Sequence, residues 1–133
     1  MSHLAVVREI YEAFGRGDVP TILGHVAPDV EWEYGAGPTP VPWLQKRHGH
    51  AGAQQFFTEL AATLEIQMFA PKAFFEGQGV VVVLLDLEAR VKATGKPIHE
   101  EDEVHIWYLN AANKVTRFRH RVDTQHHIEA CRP

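Results

Sequence analysis

The 133-residue chain has a single cysteine, Cys131, and no apolar run long enough to span a bilayer. One thiol cannot close an internal disulfide, and Cys131 has no CxxC partner; this suits a reducing cytoplasm, with Cys131 an incidental thiol. The opening stretch MSHLAVVREIYEAFGRGD carries acids within its first turns, so it reads neither as a signal peptide nor as a membrane span. Positive charge is scarce as well. A formal net charge of −4 argues against nucleic acid as a partner, because phosphate binding needs clustered Lys and Arg. The one dense basic patch is Arg117, Arg119 and Arg121. There is no GxGxxG, no P-loop and no nucleophile elbow, so nucleotide cofactors and serine-hydrolase chemistry have no support and no cofactor is expected. His48-Gly49-His50 and His126-His127 lack the spacing of a three-ligand set; they are expected as surface histidines beside turns and caps, with no metal.

What is present fits one soluble domain over residues 1–133, with 45% hydrophobic and 23% charged residues. A domain of this size buries roughly 68% of its unfolded surface. Leu4 to Phe14 repeats apolar residues at helical spacing, with Ser2 as N-cap and Gly15 and Gly17 as terminators. Asp18 caps a second short helix stopped by Pro28, and Asp29–Tyr34 is a strand with Val30, Trp32 and Tyr34 on one face. Residues 35–52 read as a long functional loop with an exposed Trp43, followed by a helix over Ala51–Leu64. Strands are expected at Glu65–Phe75, Val80–Lys92, Ile98–Leu109 and Val115–Val122. Helices first and consecutive antiparallel strands after make an α+β layout.

The last strand carries the chemistry. Thr116, Phe118, His120 and Val122 share one face, and Val115 and the three arginines the other. His120 thus lies on an apolar wall, either as a general base or acid or as a core histidine held by a backbone carbonyl or by His105. Within the run His99-Glu100-Glu101-Asp102-Glu103, Glu101 and Glu103 share the parity of His105; the run reads as a solvated edge or as one carboxylate near a histidine. Asp123-Thr124 is placed to cap a final short helix.

The segment VVREIYEAFGRGDVPTILGHVAPDVEW resembles the opening of SnoaL-like proteins, which belong with ketosteroid isomerases and limonene epoxide hydrolases in the nuclear transport factor 2-like superfamily. Gly49 before the Phe56-Phe57 helix, Ala93-Thr94-Gly95-Lys96-Pro97, and Lys114-Val115 through Val122-Asp123-Thr124 continue the likeness over almost the whole chain. It implies a cone: a strongly bent antiparallel sheet closed by N-terminal helices around an apolar pocket, commonly dimerising through the sheet. One such scaffold hosts isomerases, cyclases, hydrolases, dehydratases and binding modules.

The departures from the family narrow the chemistry. Cyclase-like members carry an aromatic-x-Asp on the last strand where this chain has Phe118-Arg119-His120, with Asp123 at the strand-end acid. The Arg and Asp of epoxide hydrolases fall on Leu85 and Leu87. The base, tyrosine and protonated Asp of ketosteroid isomerases fall near Tyr34, Ile10 and His105, with Tyr11 adjacent. Neither of those two mechanisms is expected. What remains is an apolar pocket walled by Trp32, Trp107, Phe118, Leu85, Leu87 and Trp43, with His120, His105 and Tyr34 as polar tips and Asp123 in support. The expected function is binding, or cofactor-free proton transfer (isomerisation, cyclisation or dehydration), on a small apolar cyclic molecule; the alternative is a non-catalytic ligand-binding or protein-interaction domain.

Overall fold

The computed structural model describes residues 1–33 and 37–133, so the expectation for Tyr34 lies outside the described residues. Helix α1 (His3–Gly15) starts where the Ser2 hydroxyl accepts the Ala5 N–H at 3.0 Å, and it buries Val6, Val7, Ile10 and Ala13. Helix α2 (Val19–Gly24) is capped by Asp18, whose carboxylate accepts from Thr21 N at 3.1 Å. It ends at Gly24, before the proline expected to stop it. Pro28 instead lies inside strand β1 (Val26–Glu33), within a register slip between Val26 and Glu31 where no ladder partner needs its missing N–H.

The stretch expected as loop through residue 52 is partly built. Strand β2 (Arg47–His48) pairs with β1, and helix α3 (Gly49–Thr63) follows without a break. Gly49 makes that corner at φ +71°, with Pro28 O only 3.3 Å from where a Cβ would sit. Trp43, expected to be exposed, is 3% exposed. Gln45 tethers the segment around it by donating to the carbonyls of Thr39 and Val41, both at 2.8 Å.

Strands β3 (Leu64–Gly77), β4 (Val80–Val91), β5 (Pro97–Leu109) and β6 (Val115–Arg121) form an antiparallel run, and helix α4 (Thr124–Cys131) closes the chain. The β3–β4 turn has Gln78 at φ 54° and Gly79 at φ 77°, the signs of a type I′ turn. The curved sheet has the order β2-β1-β6-β5-β4-β3, and β1 lies parallel to β6, a pairing absent from the sequence reading. Register slips at Ile66/Met68 and Pro71/Ala73 bend β3, which occupies a sheet edge where proline is tolerated.

Two further bulges decide which side chains look inward. On β6, Val115 pairs with Leu109 and Arg117 with Tyr108, so Thr116 is the extra residue and Val115 turns inward, fully buried, rather than joining the arginines. On β5, Glu100 pairs with Leu87 and Glu103 with Leu85, so two residues oppose Asp86 alone, and Asp102 takes φ 61°. The bulge puts Glu100 and Glu103 both inside, at 6% exposure each, and leaves Glu101 outside. A strand of simple alternation cannot do that. On the outer face, Glu33 answers Arg117 and Arg119 with ion pairs from the neighbouring strand.

Candidate functional site

The inner face of the sheet and helices α1 and α3 enclose a cavity of about 70 Å³. Its walls are mainly aromatic. Trp32 on β1 stacks on Phe118 of β6 at 4.4 Å between ring centroids, and Trp107 of β5 tilts against the same ring at 4.4 Å. The first contact follows directly from register, because Trp32 and Phe118 are partners in the parallel pair. Leu87 and Trp43 also line the cavity, whereas Leu85, fully buried, is packed into the core and does not. Outside, Tyr11, Phe14, Ile66 and Phe69 also border an open groove of about 630 Å³ between α1 and β3, so these side chains separate cavity from groove.

His105 and His120 are paired across β5 and β6, and both face the cavity with ring centroids 5.9 Å apart. Burial dominates at His120 and lowers its pKa to about 3; the Glu103 charge opposes this, and His105, His127 and Arg121 add to it. His120 is therefore a neutral imidazole in the resting protein.

His105 belongs to a chain of buried hydrogen bonds. Trp107 Nε1–H donates to the Tyr11 hydroxyl at 3.0 Å, Tyr11 Oη lies 2.7 Å from His105 Nδ1, and His105 Nε2 lies 2.7 Å from Glu103 Oε2. The assignment that gives every hydrogen an acceptor has the phenol donating to Nδ1 and Nε2–H donating to the Glu103 carboxylate. Burial pushes the Tyr11 phenol well above its ordinary pKa; the Trp107 hydrogen bond works against this and the Glu103 charge adds to it. Tyr11 thus remains a donor. By spacing it looked like one more apolar position of an amphipathic helix, and the family resemblance placed the isomerase tyrosine at its neighbour Ile10.

A second chain runs from the opposite side. Trp43 Nε1–H donates to His127 Nδ1 at 3.0 Å, and His127 Nε2 lies 2.8 Å from Glu100 Oε2, which also accepts Asp123 N–H at 2.9 Å. Asp123 caps α4 through His126 N and is exposed, so it supports the site through its backbone rather than its carboxylate. His127, expected at the surface, is 1% exposed. The oxygen and nitrogen ligand atoms of Glu100, Glu103 and His127 lie within 4.8 Å of one another, close enough to suggest a metal centre. The donor chemistry argues otherwise. An indole only donates, so His127 Nδ1 is an acceptor and Nε2 must carry the ring's proton, whereas a metal ligand needs that nitrogen bare.

Among the described residues, no helix is long and apolar enough to cross a membrane. No curated protein matches the chain. An NTF2-like protein of unknown function from Burkholderia pseudomallei K96243 superposes with a TM-score of 0.87 at 30% identity, covering 100% of both chains. An NTF2-like protein from Burkholderia xenovorans LB400 gives 0.86 at 27% identity, over 98% of this chain and 95% of that one. TerC, co-crystallised with polyporic acid, gives 0.80 at 27% identity over 96% of each chain. The profile of the SnoaL-like domain matches residues 7–118, most of the length, and the chain belongs to that family.

Proposed function

We propose that the protein is a small-molecule enzyme that carries out proton transfer without a cofactor (isomerisation, cyclisation or dehydration) on an apolar cyclic compound held in this cavity. The observation that carries the reading is the facing pair His105 and His120 on an otherwise aromatic wall. His120 is the base: it is unprotonated at rest, and the Glu103 charge stabilises the imidazolium formed when it takes a substrate proton. His105, fixed by Tyr11 and Glu103, keeps that charge in place. The indole N–H of Trp32 is buried without an acceptor among the described residues, and it is the donor left over for a substrate oxygen. The relative co-crystallised with polyporic acid supports reading the protein as one that takes a small cyclic molecule. A cavity of about 70 Å³ has room for roughly five water-sized groups, so side chains of its wall must move apart to admit even a single ring.

The depth of the His120 shift favours one second reading, a ligand-binding domain without turnover, since a base that weak gains little from proton abstraction near pH 7. Thermal-shift screening of polyporic acid, cyclic ketones, polyketide-like aromatics and terpenoids, followed by turnover assays on the hits, separates the two. For an enzyme, His120→Ala and His120→Asn lose roughly 10²–10⁴-fold in turnover with affinity held within a few-fold. Full activity in both variants contradicts the mechanism. We also propose that the half-buried outward face carrying Val82, Leu84, Val104 and Ile106 pairs two copies of the chain. Sedimentation should then show a dimer that Ile106→Glu converts to monomer.

A further inference from the structure

Glu103 is the only Asp, Glu, Lys or Arg among the described residues lining the cavity. Behind it Glu100 brings a second carboxylate within 4.8 Å. Both chains of hydrogen bonds run toward these two groups from neutral donors. Each begins at an indole N–H, from Trp43 on one side and Trp107 on the other; the first makes His127 Nδ1 an acceptor, and the second leaves the Tyr11 hydrogen to be donated to His105 Nδ1. In this assignment His127 and His105 each present Nε2–H to their carboxylate. The polar end of the cavity thus carries carboxylates and its walls are rich in aromatic rings, the two features that together recognise an organic cation. A bare metal ion is a poor match, because His127 Nε2 is not free to ligate it.

We propose that the ligand of this cavity is a small arylalkyl amine, bound as its ammonium with the charge on Glu103 and the ring against the wall that carries Trp32, Trp107 and Phe118. This rests on the reading of the cavity as a ligand site, not on the proton-transfer chemistry, and names the chemical class it takes. Glu100 reinforces the charge from behind, and Tyr11 and His105 hold the Glu103 carboxylate facing inward.

The test uses three probes of one shape and different charge: benzylamine, benzyl alcohol and benzoate, titrated calorimetrically into the full chain at pH 7. Benzylamine should bind at least about tenfold tighter than benzyl alcohol, with benzoate weakest. Glu103→Gln should erase the amine's advantage while leaving the alcohol's affinity within a few-fold; if that variant does not fold, Glu100→Gln should reduce the advantage in the same direction. Benzyl alcohol or benzoate binding as tightly as benzylamine to the wild-type chain overturns the proposal and leaves the cavity standing as a ligand site. If none of the three binds, the proposal falls, and the reading beneath it falls with it only if the wider screen also finds no ligand.

Discussion

The hydroxyl of Tyr11 and Nδ1 of His105 meet at 2.7 Å although 94 residues separate them in the chain. One contact thereby ties helix α1 to strand β5 and sets which nitrogen of the imidazole faces Glu103. Tyr11→Phe keeps the ring and removes the oxygen, so Trp107 Nε1–H and His105 Nδ1 lose their partner together. Two buried groups left without a hydrogen bond should cost about 1–3 kcal/mol or somewhat more. Urea denaturation should show a lower midpoint with an unchanged m-value; a midpoint equal to the wild type would mean that the network contributes nothing to folding.

Acid sensitivity should trace to His120. Its folded pKa is lowered from 6.5 to about 3 by burial. Between those values the unfolded chain takes up a proton that the folded chain refuses, so stability is complete above about pH 6.5 and falls as the pH drops. The loss should be roughly 2 kcal/mol between pH 6.5 and 5, at about 1.4 kcal/mol per unit. His120→Asn removes this contribution while the carboxylates keep theirs. The difference in unfolding free energy between the two proteins should therefore narrow on acidification, and a constant difference from pH 7 to 5 would contradict the burial of a neutral imidazole.

The β3–β4 turn offers a gain in stability. Gln78 sits at φ 54° in the first central position of a type I′ turn, where asparagine is far better tolerated. Gln78→Asn should raise stability by about 0.5 kcal/mol, read as a rise of a few degrees in Tm. A fall in Tm would show that Gln78 makes a contact that outweighs its backbone strain.

Most of the fold was legible in the sequence because its signals are local. Ser2, Asp18 and Asp123 cap the helices they were expected to cap, and Gln78-Gly79 turns where glycine marks a turn. The inward places of Trp32, His105, Trp107, Phe118 and His120 follow from simple alternation. What was hidden depends on bulges and on contacts far apart in the chain. The slip at Asp102 turns Glu100 inward and Glu101 out, reversing the parity argument for that pair. Trp43, read as exposed on its loop though also placed on the pocket wall, and His127, read as a surface residue beside a cap, bury each other across 84 positions. Tyr11 occupies a position indistinguishable by spacing from a packing residue, and only Trp107 and His105 reveal its hydroxyl's use. Tyr34 lies outside the described residues.

The most direct test of the cavity as the functional site is a crystal structure of the protein grown with the tightest binder from the screen. Ligand density between Trp32, Phe118, His105 and His120 is the predicted result, with the ligand in contact with Glu103 if it is an amine. A ligand seated only in the groove between α1 and β3, with the cavity closed by its own side chains, would contradict it.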